Sequence, residues 1–190
     1  SNNNVNDLDN VTNVETITLG NAVTSVTTVD GLVANNASLT VDGTALTAGN
    51  TLTWNGANES NGTFSITGGA GNDTITGGAG ADTINAGDGN DSITSGGGND
   101  SITTGLGADV IDAGAGNDVI DGGDGNDTIT AGTGNDNITG NTGDDKFIFD
   151  VNLTNADTVD GAAGADVLTF TDSNNNVNDL DNVTNVETIT

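Results

Sequence analysis

Nine aspartates recur at one fixed spacing in the middle of the chain: Asp73, Asp82, Asp91, Asp100, Asp109, Asp118, Asp127, Asp136 and Asp145. Each closes a glycine-rich hexad, and two residues later stands an Ile, eight times, and then Phe147. Carboxylates gathered by a repeating backbone can work as an acid–base pair on a substrate, or they can hold a cation. The companions that catalysis needs are missing. The 190 residues include no His, Cys or Tyr, and the single basic residue is Lys146. A nucleophile–base pair, a zinc site or an anion clamp therefore lacks its usual residues, and the chain reads as not an enzyme. Paired Asp can cut glycosides, but an unbroken series of nine points to one shared role with a cation. Oxygen ligands alone, carboxylates and the carbonyls of open turns, select a hard ion with a flexible shell, which is calcium.

The elements that must position these carboxylates follow from the nine-residue period. From Gly68 the blocks run GGAGNDTIT, GGAGADTIN, AGDGNDSIT, SGGGNDSIT, TGLGADVID, AGAGNDVID, GGDGNDTIT, AGTGNDNIT and GNTGDDKFI. The first six places read as turn, not as helix or strand, with glycine supplying left-handed backbone. The second place is Gly except at Asn141, the residue that best tolerates the same conformation. The last three places form a short strand whose middle side chain faces one way and its neighbours the other. Turn plus strand, twice, makes a coil of about 18 residues, so alternate blocks stack into two parallel sheets with the Ile side chains between them. One buried Ile per nine ordered residues is too little apolar surface to hold such a coil. Stacking also brings like charges together. Cations between the turns would resolve both problems. A disordered acidic linker is the competing reading, but a linker does not keep an Ile at every ninth position.

The blocks resemble the RTX calcium-binding nonapeptide G-G-x-G-x-D-x-U-x, U being a large apolar residue. The resemblance covers residues 68–147. It implies an all-β fold, a parallel β-roll or β-solenoid with calcium-binding turns, here flanked by irregular β rungs. It further implies calcium between the turns of blocks i and i+2, held by the sixth-place Asp and by main-chain carbonyls of the turn. Carried onto this chain, Asp73, Asp91, Asp109, Asp127 and Asp145 would line one edge, and Asp82, Asp100, Asp118 and Asp136 the other. The carbonyls would be those of Gly69, Gly71, Gly78, Gly80, Gly87, Gly89, Gly96, Gly98, Gly105, Gly107, Gly114, Gly116, Gly123, Gly125, Gly132 and Gly134. Pairing i with i+2 gives about seven ions, possibly more. The first place varies (Ala86, Ser95, Thr104, Ala113, Ala131), a harmless departure if only its carbonyl is used. Asp112 and Asp121, in strand places, should point into solvent. Proteins with this repeat generally leave the cell through a type I exporter, so the resemblance implies an extracellular or cell-surface location.

Asp and Glu together number 28, and the net charge is −27. Such a surface repels nucleic acid and anionic membranes, and neither nucleic-acid binding nor membrane insertion is expected. No apolar run has the length of a membrane span, and no signal peptide or C-terminal export signal is recognisable. Cysteine and proline are absent, so no disulfide holds the fold.

Residues 1–18 and 173–190 are identical, SNNNVNDLDNVTNVETIT, at an offset of 172. This marks one period of a tandem array followed by the start of the next copy, and the chain reads as a window on a longer polypeptide. Four regions follow: 1–67, irregular β-solenoid rungs or a small β domain; 68–147, the nine nonapeptides; 148–172, degenerate closing rungs; and 173–190, the next copy. In the first region the β-branched runs Val14–Leu19, Val23–Val29, Ser38–Val41, Thr51–Trp54 and Phe64–Thr67 read as strands. Rungs of the same solenoid are favoured because Ile66 stands nine residues before Ile75. Trp54, the sole Trp, reads as a core residue or a cap over the end of the roll, with a sugar-binding platform as the functional alternative. After the ninth block, Gly161, Gly164, Asp166 and Leu168 restore the pattern, so a further calcium turn is expected at Asp166 and is less favoured at Asp157.

The function that fits is a calcium-stabilised structural repeat of a secreted bacterial fibre, stalk, adhesin, filament or surface layer (S-layer). It would fold on calcium binding outside the cell, with neighbouring copies head to tail, and laterally, as partners. The alternative is a carbohydrate- or ice-binding adhesive module using the outer Thr74/Thr76, Ser92/Thr94, Ser101/Thr103 and Thr128/Thr130. Val110/Asp112 and Val119/Asp121 break those ladders. At 18 residues per coil, one copy would advance roughly 45 Å along the axis.

Overall fold

The computed structural model describes residues 3–5, 14–22, 24–27, 33–34, 37–149, 153–171 and 180–190. The Asn-rich repeat starts (6–13 and 173–179) and the ends of the run Val23–Val29 lie outside them. Ahead of the nonapeptides stand β1 (Asn3–Val5), β2 (Thr16–Thr18), β3 (Thr24–Thr27), β4 (Ser38–Asp42) and β5 (Leu52–Asn55). β6 (Thr63–Gly69) leads into the repeat. β7 (Thr74–Thr76), β8 (Thr83–Asp88), β9 (Ser92–Thr94), β10 (Ser101–Leu106) and β11 (Val110–Asp112) follow. Then come β12 (Val119–Asp121), β13 (Thr128–Thr130), β14 (Asn137–Thr139) and β15 (Lys146–Phe149). The chain closes with β16 (Thr158–Asp160), β17 (Val167–Phe170), β18 (Val183–Thr184) and β19 (Thr188–Ile189).

Every odd-numbered strand enters one ten-stranded sheet and every even-numbered strand one nine-stranded sheet, each in sequence order. All pairings are parallel. The chain therefore winds as one β-solenoid, and the runs before Gly68 are rungs of the same two sheets. Period-2 alternation places one apolar column per sheet inside. In one sheet the column is Val26, Trp54, Ile75, Ile93, Ile111, Ile129, Phe147 and Leu168. Val41, Ile66, Ile84, Ile102, Ile120, Ile138 and Val159 face it from the other. All fifteen are buried.

Through the nonapeptides each coil takes 18 residues, as in Ile75 onto Ile93 and Ile84 onto Ile102. The flanking coils are longer: 28 residues from Val26 to Trp54, 25 from Val41 to Ile66, and 21 from Phe147 to Leu168. The expected uniform 18-residue coil, and the 45 Å advance built on it, hold only where the nonapeptide sets the loop length. Two further expectations change. Three strands run beyond the x-Ile-x triplet into the turn, β6 to Gly69, β8 to Asp88 and β10 to Leu106, because the first turn places pair between coils as a ladder. Trp54 is not an end cap. It is 0% exposed, stacked between Val26 and Ile75, with its ring edge-on to Phe64 at 5.4 Å. A platform open to a sugar is thereby ruled out at that residue.

Candidate metal centre

The turns are built by glycine at two places for two separate reasons. From the third block on, the second and fourth places take positive φ, as at Gly105 (103°), Gly107 (139°), Gly123 (90°) and Gly125 (141°). Asn141, the one exception in sequence, has φ 73° and so keeps the same conformation. A Cβ at Gly125 would also overlap the Gly107 carbonyl oxygen of the coil before it. The turns of the first two blocks stack on non-repeat loops, and Gly69, Gly71, Gly78 and Gly80 are not in the left-handed region.

These turns hold the sixth-place aspartates inward, between 1% and 2% exposed from Asp73 to Asp145. Their Oδ1 atoms form a ladder. The Asp73 N–H donates to Asp91 Oδ1 at 2.7 Å, Asp91 to Asp109 at 2.7 Å, Asp109 to Asp127 at 2.9 Å and Asp127 to Asp145 at 2.9 Å. On the other edge Asp82 donates to Asp100, Asp100 to Asp118 and Asp118 to Asp136. The two edges are those expected from the alternation of blocks. Outside this ladder runs a second one of opposite direction, in which a fifth-place N–H donates to the Oδ1 of the coil before where that coil carries Asn, and which is interrupted over Ala81 and Ala108. Examples are Asn90 to Asn72 at 3.0 Å and Asn117 to Asn99 at 2.9 Å.

The other carboxylate oxygen is left over. Oδ2 of Asp73, Asp91, Asp100, Asp109, Asp118, Asp127, Asp145 and Asp166 is buried and has no hydrogen-bond partner. An orphaned buried anion is costly. Burial pushes Asp91 and Asp127 up to about 7, against the pull of the Asp73 and Asp109 N–H bonds and with help from neighbouring carboxylates. Burial likewise lifts Asp73, Asp82 and Asp118 to about 6. Asp109 rises from burial as well, moderated by its hydrogen bond from Asp91 and by the nearby Thr104 hydroxyl. Asp82 differs in that its Oδ2 accepts the Gly78 N–H at 2.8 Å. A row of inward acids that resist ionising, most of them with a bare oxygen, has the chemistry to seat a hard cation.

Among the described residues no three carboxylates converge on one point, so a cation held here would have to draw on main-chain oxygen as well. Second-place carbonyls already accept one bond along the stack, as Gly96 O does from Ala115 N–H at 2.9 Å and Gly114 O from Thr133 N–H at 2.8 Å. Fourth-place carbonyls such as Gly89 O, Gly98 O and Gly107 O accept none among the described residues. Of the two expected carbonyl sets, the fourth-place set keeps its full capacity.

The first place is more than a carbonyl. Its side chain is buried beneath the seat, and a Cβ at Gly68 would press on Asp73 Oδ2. Ser95 fits by turning its hydroxyl onto Ala113 O at 2.6 Å. Asp112 and Asp121 are exposed, as expected. Asp166 joins the ladder by accepting from Asp145 N–H at 2.7 Å. Asp157 joins it too, accepting from Asp136 N–H at 2.7 Å, but its Oδ2 is taken by Thr154 N–H at 2.6 Å. Sequence reasoning missed Glu187, whose Oε2 receives the Asp166 N–H at 2.7 Å and extends the ladder one coil further. No nonapeptide signal marks that residue.

The profile of the RTX calcium-binding nonapeptide repeat (4 copies) matches residues 65–93, 86–120, 94–129, 121–150 and 154–177, together more than half of the chain. The chain belongs to that family. Its matched segments include every orphaned carboxylate, and the repeat makes the chain a calcium-binding β-roll. No curated protein and no solved structure matches the chain. The residues present fit calcium: oxygen donors only, paired carboxylates one coil apart, and bare carbonyls beside them.

Proposed function

We propose that the chain is a calcium-locked structural repeat of a secreted bacterial fibre, adhesin or surface layer, disordered without calcium and folded where calcium is plentiful. The row of orphaned Oδ2 atoms carries this reading. With each seat between consecutive ladder partners, Asp73 through Asp166 supply one edge and Asp82 through Asp136 the other. The ions neutralise carboxylates that no basic residue could balance, since Lys146 stands alone against 28 acids. The exporter route and the extracellular location rest on the family resemblance and on the calcium requirement. The turns bind and orient, and calcium supplies charge neutralisation and cross-coil bridging.

Calcium titration followed by far-ultraviolet circular dichroism tests it. The expected result is a cooperative change from coil to β-structure at calcium levels found outside cells, reversed by chelator, with magnesium substituting poorly because it demands a tighter, more rigid shell. A chain equally β-structured in chelator and in calcium would refute the proposal.

A further inference from the structure

The segment VETIT is present twice, at 14–18 and 186–190, and the two copies lie towards opposite ends of the solenoid. Glu15–Leu19 contains β2, the first strand of the nine-stranded sheet. Glu187–Thr190 contains β19, the last strand of the ten-stranded sheet, whose first strand β1 lies on β3. Glu187, Thr188 and Thr190 are equivalent to Glu15, Thr16 and Thr18 by the 172-residue offset. At the start, the segment is covered from above: Thr40 N–H donates to Glu15 O at 2.9 Å and Leu19 N–H to Asp42 O at 2.8 Å. At the end, it is seated from below. Thr188 N–H donates to Asp166 O at 3.0 Å, Thr190 N–H to Leu168 O at 2.9 Å, and Phe170 N–H to Thr190 O at 2.9 Å.

The two sets use different backbone groups. Below, the segment uses the Thr188 and Thr190 positions; above, it uses the carbonyl of Glu15 and the N–H of Leu19. In a parallel sheet, alternate residues of an inner strand bond to opposite neighbours, so both sets fit one strand at once. β2 and β19 are moreover the outermost strands of their sheets, each with one open edge among the described residues. An open edge is a template for another strand.

We infer that successive copies of this chain join without a break in the solenoid, each turned by half a revolution relative to the last. Residues 187–190 form the shared strand, and the next copy's Ser38–Asp42 lies on its open edge. The half-turn follows from the topology. β2 lies in the nine-stranded sheet and its equivalent β19 in the ten-stranded one, seventeen strands later. One copy is thus eight and a half coils, about 41 Å at ~4.8 Å per rung. The edge carrying Asp73 to Asp166 in one copy would continue as the other edge in the next, so the assembly repeats only every second copy. Glu187 fits this role because its carboxylate caps the Asp166 N–H that would otherwise end the ladder. The inference rests on the proposed head-to-tail array.

The test uses a chain of two successive copies, residues 1–172 followed by 1–190, in saturating calcium. The sequence has no Cys, so introduced cysteines carry nitroxide labels at chosen sites only. Thr169→Cys in the first copy is paired with Asp42→Cys in the second. By register these lie two rungs apart on one face, through Thr190, or about 10 Å. The control pair Thr130→Cys and Thr169→Cys within one copy has the same two-rung spacing through Ile148. Equal dipolar line broadening in the junction and control pairs is the expected result. Broadening in the control but not at the junction overturns the half-turn junction and leaves the calcium roll standing. If Thr169→Cys broadens instead with Asn55→Cys of the second copy, which follows the core residue Trp54 as Thr169 follows Leu168, the copies join without the half-turn. Loss of broadening in every pair overturns both this inference and the calcium-locked array beneath it.

Discussion

Replacing Asp127 by Asn changes one atom and one charge, and its effect should reverse sign with calcium. Asn keeps an oxygen to accept the Asp109 N–H, now bonded to Asp127 Oδ1 at 2.9 Å. It replaces the orphaned Oδ2 by a neutral amide. Asp127 is lifted from 3.8 to about 7, chiefly by burial. For a carboxyl the folded state then favours the proton, so stability from this group is fully present below the unfolded value and is lost as pH rises through about 7. At pH 8 without calcium the ionised group opposes folding by roughly 4 kcal/mol. Screening by water and salt at the turn reduces this to about 2 kcal/mol. Asp127→Asn should therefore favour the metal-free fold by about 2 kcal/mol at pH 8 and do almost nothing at pH 4.

In calcium the same change removes one of two carboxylates from the seats shared with Asp109 and with Asp145. A loss of roughly tenfold to a hundredfold per seat, about 1.4–2.7 kcal/mol each, outweighs the relief of repulsion. The expected net effect is about 1–3 kcal/mol of destabilisation in saturating calcium. Urea denaturation at pH 8, in chelator with a stabilising osmolyte and in calcium, reads both signs. Asp157→Asn is the contrast, because Asp157 Oδ2 already accepts the Thr154 N–H. It should weaken the fold with or without calcium. If Asp127→Asn destabilises equally in both conditions, the carboxylate is only a hydrogen-bond acceptor and the cation seats are refuted.

Without calcium, β-structure should increase as pH falls from 8 to 5, since Asp73, Asp82 and Asp118 sit near 6 and Asp91 and Asp127 near 7 in the folded chain. Over the same range the calcium needed for half-folding should rise, because protons compete for the same oxygens; a flat midpoint in a pH series of calcium titrations would contradict this. Gly125→Ala combines φ 141° with overlap on the Gly107 carbonyl, and should cost more than about 3 kcal/mol. Gly97→Ala, whose added Cβ meets nothing nearer than Ala79 Cα at 3.8 Å, should stay within about 1 kcal/mol; thermal melts in calcium compare them. Ile111→Ala, at a position 1% exposed, should cost about 2–5 kcal/mol. Val110→Ala next to it, where the side chain is 53% exposed, should change the melting temperature little.

The repeat made the central roll legible because one period fixed turn, strand and coil together. Ile75, Ile93 and Ile111 could only line one column if alternate blocks stacked. Outside the blocks the strand runs were legible from their β-branched residues, but coil lengths were not. The 28-residue coil from Val26 to Trp54 depends on how far its loops bulge, and no periodicity constrains that. Trp54 was legible as core and not as mid-stack for the same reason, since its rung number depends on those loops. The extended β8 and β10 were hidden by reading glycine only as a turn former. Gly87 and Gly105 have positive φ and still pair with each other across coils. At Asp157 the loss of the glycines made a calcium turn less favoured, and the structure shows its Oδ1 in the ladder and its Oδ2 taken by the Thr154 N–H.

The two side-chain ladders of each turn form an internal control on the meaning of the charge. At the fifth place a neutral Asn serves as coil-to-coil acceptor, as Asn99 does for Asn117, and the place tolerates Ala81, Ala108 and Asp144. At the sixth place the same service, one oxygen accepting one N–H, is given in all nine blocks by Asp. If joining coils were the whole task, Asn would do it there too, without stacking buried carboxylates of like sign. The charge hinders folding unless something else uses it. The atom that bears the excess is Oδ2, buried and without a partner in seven of the nine blocks, and what can use it is a cation shared between neighbouring coils. The fifth place therefore shows what the sixth would look like in a roll that needed no calcium.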